Sequence, residues 1–549
     1  MKSATQIDAV TFEVAAAALL SAAEEMGGVL KRSSYSPIIR DMEDFSCAIF
    51  TAKGDLVAQA DYIPAQLGAM SLVVKSVLNR WQGTLAPGDV FICNHPYQGA
   101  MHLPDVNIVA PVFVGNQLVA WTGTAAHHID VGGVNPGSEG PELTELYGEG
   151  VILPPIHLYT AGEENADLVS LLTENFRDPV STLSDLRAQR AACNLGDSRV
   201  TELASLYGVE TLLGVMDRML DVVEGAVAHA LSDLVNGTGE AEGFLDDDGR
   251  GGKPTRMHVA ITKQDDRLEI DLSGSDAQTT GAMNIPWASA RAALVYAVRC
   301  VVAPGIGSND GLLRRVDIIA PQGSVVNPTP PAAVSIRHNS CQRLADTLIR
   351  AMQEIWPERA VASSTVSFFC FNAGSTSPLT GKPAVMADVV GGGTGATSTT
   401  DGLDGVDTYM SNVGVMPTEV AETNYNIRIR KTELLPGSQG RGKFHGGLGL
   451  RREYEILEHP QHVTFYAEQT DSRYAPQGTA GGAEGKATVI TVIGPDGEEI
   501  PHPSKNSKLL EAGTVVRVET AGGGGYGDPA DRPAELQEWD VAEERLGDA

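Results

Sequence analysis

NHPYQGAMHLPDVNIVAPVFVGNQLVAWTGTAAHHIDVGG, residues 94–133, carries a strand pattern and a set of metal-capable side chains together. Two β-favouring runs, 106–114 and 117–126, flank Gly115-Asn116, a pair suited to the turn of a β-hairpin. A hairpin runs out and back, so its far end returns to its start. His102 and Asp105 stand at the start, straddling Leu103-Pro104, and His127, His128 and Asp130 stand at the end. Pro104 cannot donate to a strand ladder and stiffens the loop that carries the first pair. Chain geometry therefore predicts two imidazoles and one or two carboxylates in one place.

Upstream of this stretch, residues 8–32 recur with helical period, with Asp8 as candidate N-cap. FSCAIFTAKGDLVAQA (45–60) reads as a hairpin about Lys53-Gly54-Asp55, 65–81 as a helix and VFIC (90–93) as a buried strand. Downstream, 165–235 reads as mostly helical. The turn-rich, acidic NGTGEAEGFLDDDGRGGKP (236–254) marks a boundary. Strands near 255–273 and helices near 287–303 and 338–356 follow, and from 424 the pattern is strand and turn almost throughout. The expected fold class is α+β, a multi-lobed mixed α/β chain. An N-terminal α/β metal-binding domain with a helical extension spans 1–235, a mixed lobe 236–423 and a β-rich lobe 424–549.

At 549 residues the chain exceeds one ordinary core. A formal charge of −30, with no basic run, argues against nucleic acid, whose phosphates such a field repels. Cys47, Cys93, Cys193, Cys300, Cys341 and Cys370 are far apart without a CxxC, and most have apolar or small neighbours, so buried free thiols are expected. With no signal-peptide pattern and no apolar run long enough for a bilayer, the expected location is cytoplasmic, away from membrane.

Imidazole with carboxylate suits zinc, manganese or iron, and the lack of thiolates argues against a purely structural zinc clip. An incomplete coordination sphere leaves room for a substrate oxygen or water, so the ion polarises a carbonyl or lowers the pKa of bound water. The glycine-rich DVVGGGTGATSTTDG (388–402) lacks the Gly-Lys-Ser/Thr ending of a P-loop and reads as a loop. AGGGGYGDP (521–529) reads as close-packed backbone, and Arg451-Arg452 as solvated or interface charge. A G-x-S-x-G elbow is absent.

With these residues in view, the chain resembles the hydantoinase B family, which includes N-methylhydantoinase and 5-oxoprolinase-type hydrolases, caprolactamase, and acetone and acetophenone carboxylases. The resemblance rests on AEEMGGVLKRSSYSP (23–37), DFSCAIFTAKGDLVAQAD (44–61), GDVFICNHPYQGAMHLPD (88–105), AAHHIDVGGVNPGS (125–138), DLRAQRAACNLG (185–196), GRGKFHGGLGLRREYE (440–455) and GGGGYGDP (522–529), in order along nearly the whole chain. It implies a divalent metal, zinc first and manganese or iron as alternatives, held by Asp44, His102, Asp105 and His127. Asp44 comes from the resemblance alone. His128 and Asp130 then become candidates for orienting ligands or substrate in catalysis.

The resemblance further implies a hydantoinase A-like partner that binds ATP, in a hetero-oligomer such as α2β2, acting on a small carbonyl substrate. The expected reaction is ATP-dependent hydrolysis of a cyclic amide or imide of the hydantoin, oxoproline or lactam type. The alternatives are a subunit of a ketone carboxylase and a noncatalytic scaffold. This chain departs from many relatives at His95, where they carry Asp, and at Tyr62 and Gln66, in a block where they carry histidines. Loss of a general-base candidate at Gln66 bears most on the chemistry.

Overall fold

The computed structural model describes residues 7–547 except Asp61 and Ser367. It is a mixed α+β fold, 33% helical and 26% strand. Its first sheet contains β1 (Phe45–Thr51), β2 (Leu56–Ala60), β3 (Val90–Cys93), β4 (Asp105–Val114), β5 (Gln117–His127), β6 (Ile156–Thr160) and β7 (Glu163–Glu164). They lie in the order β2-β1-β5-β4-β3-β6-β7.

The expected hairpin is β4–β5. Val114 pairs with Gln117 beside the turn, and Asp105 pairs with His127 at the open end. β1 lies on the other side of β5, with Phe45 opposite Ala126. Continuing that antiparallel register by one residue sets Asp44 beside His127, and the His127 N–H donates to the Asp44 carbonyl at 3.0 Å. Asp105, His127 and Asp44 thus form a row across three neighbouring chains, each one strand spacing from the next.

The first helix, Ala9–Ser33, is capped by Asp8, whose carboxylate accepts the Thr11 N–H. It packs with the long helix Pro179–Tyr207 against this sheet. The helix expected over 65–81 is two pieces, Pro64–Leu67 and Met70–Trp81, and the helical stretch 165–235 is three. The segment expected as a boundary contains a strand instead. Gly237–Leu245 pairs antiparallel with Thr255–Gln264 and lies under the helix Arg337–Ile355. Its glycines hid it: a Cβ on Gly239 would fall 2.2 Å from the Ala351 carbonyl oxygen, so only glycine permits that strand–helix approach.

This second sheet is completed by Arg267–Asp271 and Val316–Ile319. The third joins Pro383–Val390, Phe369–Thr376, Gln461–Tyr466 and Lys505–Leu510, so the division expected at 424 cuts through a sheet. Non-local pairing overrides the change of local pattern at that point. One apolar core runs from Leu19 and Met26 to Phe371, Tyr454 and Val518, tying the first helix to the last strands.

The glycines of 388–402 and 521–529 interleave as backbone. Gly393 N–H donates to Ala521 O at 3.0 Å and Ala396 N–H to Gly524 O at 3.0 Å, so the donors a phosphate would need are already used. Five cysteines are buried and free; Cys300 departs from the expectation and is exposed. Arg452 departs too: it is buried and paired with Asp388 at 3.0 Å. Among the described residues no helix is long and apolar enough to cross a membrane.

Candidate metal centre

The row across β4, β5 and β1 is completed by His102, which the stiff Leu103-Pro104 turn folds back over Asp105. His102 Nε2 lies 3.2 Å from Asp105 Oδ1 and 3.2 Å from His127 Nδ1. His127 Nδ1 lies 3.4 Å from Asp105 Oδ1 and 3.9 Å from Asp44 Oδ2. A tetrahedral ion with ligand bonds near 2.1 Å sets its ligand atoms about 3.3–3.5 Å apart. Three of the four groups meet that spacing, and Asp44 stands slightly wider on the His127 side.

Protonation agrees with the geometry. His102 Nδ1 lies 3.1 Å from the Ser335 carbonyl, which can only accept, so the proton sits on Nδ1. Nε2 then carries its lone pair toward the row. The backbone around Ser335 is fixed in turn by Glu149, whose Oε1 accepts the Val334 and Ser335 N–H groups at 2.5 and 2.9 Å. The other Asp105 oxygen accepts from Arg337 Nη2 at 2.6 Å, and Asp44 Oδ1 accepts from Gln66 Nε2 at 3.2 Å. His102, Asp105 and Asp44 are thus each held from behind, the arrangement that orients metal ligands.

Burial lifts Asp44 from 3.8 to about 6, against the opposing charge of His127. Burial disfavours a charged His127, but the Asp105 hydrogen bond and the Asp44 charge raise it to about 9. Burial also opposes ionisation of Asp105, yet its contacts with His102, His127 and Arg337 hold it well below the usual range. Burial and Arg337 lower His102. Two carboxylates that gather positive charge in this way are what a cation site requires.

His128 and Asp130 stand elsewhere, contrary to the roles expected of them. Adjacent residues of an extended chain face opposite sides, and the His128 ring lies on the face opposite that of His127, although its backbone N–H donates to Pro104 O at 2.9 Å. Its Nε2 donates to Gln189 Oε1 at 2.9 Å in the packed layer beneath the long helix. Asp130 accepts from the Gly132, Gly137 and Arg177 N–H groups and from Arg177 Nη1 at 2.9 Å. Those bonds saturate its oxygens and pin a loop. His95 caps the turn Pro96–Gln98, accepting the Tyr97 N–H, and Tyr62 packs tilted against Phe45 with centroids 4.3 Å apart. Of the three departures, Gln66 alone reaches the centre.

The cluster opens on a narrow cavity of about 70 Å³. Further polar residues line it, among them Arg337, His338 and Glu139, and with His102 the latter two form a second convergent group. His338 Nε2 donates to Tyr466 Oη at 2.7 Å, and the Tyr466 hydroxyl donates to Glu139 Oε2 at 2.5 Å. Asn372 Nδ2 also donates to that oxygen at 2.9 Å. This second group would need His102 Nδ1, already given to Ser335, so the first is the better cation site. Arg337 and His338 escaped the sequence reading because they lie far from the hairpin in the chain, and Glu139 because it follows the hairpin in a turn-rich loop whose local pattern does not show that it folds back onto the centre. The one available signal was the run Arg337-His338-Asn339 opening a helix that is otherwise core-facing.

The family model described as hydantoinase B/oxoprolinase matches residues 8–529. The chain is 31% identical over 549 residues to a protein of Pseudomonas sp. (strain NS671) named as the B component of a D-/L-hydantoinase, covering 96% of this chain and 92% of that one. It is 32% identical over 535 residues to 5-oxoprolinase 1 of Arabidopsis thaliana, covering 92% of this chain but only 40% of that protein. The structure superimposes on the ATP-dependent caprolactamase from Pseudomonas jessenii with TM-score 0.90 and 27% identity, over 98% of this chain and 95% of the other. It shares its fold with an acetone carboxylase, with TM-score 0.87 and 18% identity, over 97% of this chain and 78% of that one.

Proposed function

Because this chain belongs to the hydantoinase B/oxoprolinase family, we propose that it is the metal-holding part of an ATP-dependent enzyme that opens a cyclic amide. The observation that carries this reading is the meeting of His102 Nε2, Asp105 Oδ1 and His127 Nδ1 at tetrahedral spacing, with Asp44 beside them, on the wall of a cavity. A divalent ion bound there, zinc by its donor set, supplies Lewis-acid polarisation of a carbonyl oxygen.

The chain's own residues do the rest. Ser335 O fixes the tautomer of His102, Arg337 commits one oxygen of Asp105 and leaves the other for the ion, and Gln66 steadies Asp44. Glu139 Oε2 is taken by Tyr466 and Asn372. Its Oε1, the oxygen these two leave open, belongs to the cavity wall as the group that would accept a proton from water. The ATP-binding function is assigned to a hydantoinase A-like partner. Support comes from the 5-oxoprolinases, in which more than half of the length lies outside the part this chain matches.

Chain purified with the protein that accompanies it, given ATP and a panel of lactams and hydantoins with and without bicarbonate, should yield ring-opened product without needing bicarbonate. A bicarbonate-dependent mass gain on a ketone would instead make it a carboxylase. Metal analysis separates both from a scaffold: stoichiometric ion in the native protein, lost in His102→Ala, is the expected result.

A further inference from the structure

Arg337 is the one guanidinium or ammonium group among the described residues lining the cavity, and most of its donors are unspent. A guanidinium carries N–H donors on Nε, Nη1 and Nη2, all in one plane. Nη2 meets Asp105 at 2.6 Å. Nε is buried without a hydrogen-bond partner, and no acceptor meets Nη1 among the described residues. Other buried arginines are not left so. Arg532, 6% exposed against 5% for Arg337, gives Nε and Nη2 to Asp540 at 2.6 and 2.7 Å and Nη1 to Asp401 at 2.9 Å. Arg452 gives Nη1 to Thr432 and Nη2 to Met416 O, with Asp388 3.0 Å from its Nε.

Unmet donors on a buried cation are costly, and in a cavity wall they call for an acceptor from the ligand. The rigid fork fixes where that acceptor stands. Nε and Nη1 share Cζ with the nitrogen that holds Asp105, so an acceptor on either lies beside the metal cluster. Glu139 does not fill this place: its Oε2 is taken by Tyr466 and Asn372, and it makes no ion pair with Arg337. Ring opening creates such an acceptor. The oxygen of water bonds to the amide carbon, the C–N bond breaks, and both water protons end on the departing nitrogen. The carbon keeps two oxygens that share one negative charge. The first is the carbonyl oxygen on which polarisation acts. The second comes from water, and no group above receives its charge.

We propose that Arg337 is a catalytic residue that receives this second oxygen, holding its charge in the transition state and in the product carboxylate. The inference rests on the ring-opening reading above and adds the group that takes up the charge. Pairing with Asp105 and contact with the reacting oxygen are then two uses of one guanidinium.

Butyrate and butyramide, alike in shape and different in charge, are the probes. Binding to the zinc-loaded chain without ATP is read by titration calorimetry and by melting shift. Butyrate should bind at least about tenfold more tightly than butyramide, and Arg337→Lys should lose most of that preference with its metal content unchanged. Lysine keeps a charge for Asp105 but not the planar fork, so this loss reports contact with the ligand. With the accompanying partner and ATP, on the lactam opened fastest, Arg337→Lys should lower kcat about a hundredfold or more and move KM less than about threefold. Equal binding of the two probes by the unaltered protein overturns the inference while ring opening stands, and that comparison needs no variant. An Arg337→Lys protein that keeps either its preference for butyrate or its kcat does the same. A complex that opens no lactam, whether or not it carboxylates a ketone, overturns the ring-opening reading itself, and this inference with it.

Discussion

Replacing His127 and His128 separately by alanine should produce opposite defects, because two adjacent imidazoles face opposite sides of one strand. His127 Nδ1 sits 3.2 Å from His102 Nε2, 3.4 Å from Asp105 Oδ1 and 3.9 Å from Asp44 Oδ2, at the centre of the row. Removing it should weaken metal binding beyond the roughly 10–100-fold that follows loss of an outer partner. His128 touches none of these atoms. Its loss strands Gln189 Oε1, which accepts from it at 2.9 Å, and leaves a void in a fully buried layer. Together these cost about 2–4 kcal/mol of stability. Metal content after dialysis against a chelator, and melting of the chelated proteins, read the two effects independently. His127→Ala should be metal-free and folded, and His128→Ala stoichiometric in metal with a lower melting temperature. A folded His128→Ala that loses its metal, or a His127→Ala that keeps it, would refute the assignment of faces.

Arg337→Met leaves the buried Asp105 oxygen without its 2.6 Å partner and should cost about 3–5 kcal/mol in chelated protein. The cost should be smaller once an ion restores positive charge, so equal losses of melting temperature with and without metal would contradict the pairing. Metal binding must displace a proton from His127, raised to about 9, and below about pH 6 from Asp44 also. Affinity should therefore climb about tenfold per pH unit from 6 to 9 and more steeply below 6; a flat chelator competition across that range would rule this out. Glu149 is lifted by burial from 4.5 to about 8 despite two N–H donors. The folded state then binds more protons than the unfolded one between those values, so this group removes stability as pH rises from 4.5 to 8. Glu149→Gln, which keeps the accepting oxygen, should gain on the unaltered protein by on the order of 3–5 kcal/mol between pH 5 and 8.5. Parallel melting curves across pH would show that the carboxyl is not held protonated.

What the sequence by itself determined was local. Turn residues at Gly115-Asn116 between two strand runs give the hairpin, and the hairpin alone sets Asp105 opposite His127. His102 follows from its place across Pro104. Asp44 had no such local signal. It was reached by family likeness, and in the fold it joins the row because β1 pairs with β5, a register that no short-range pattern specifies. Alternation along a strand says that His127 and His128 face opposite ways, but which of them meets Asp105 depends on that register.

The tertiary structure alone decided the surroundings. Arg337 and His338 reach the centre from a helix far along the chain and Glu139 from the loop that follows the hairpin, segments whose local patterns concern their own burial. The glycine-rich strand Gly237–Leu245 and the sheet that bridges residue 424 were hidden for the same reason. Periodicity records how each segment meets solvent and core, whereas a site is assembled from long-range contacts whose partners leave no mark in one another's sequence.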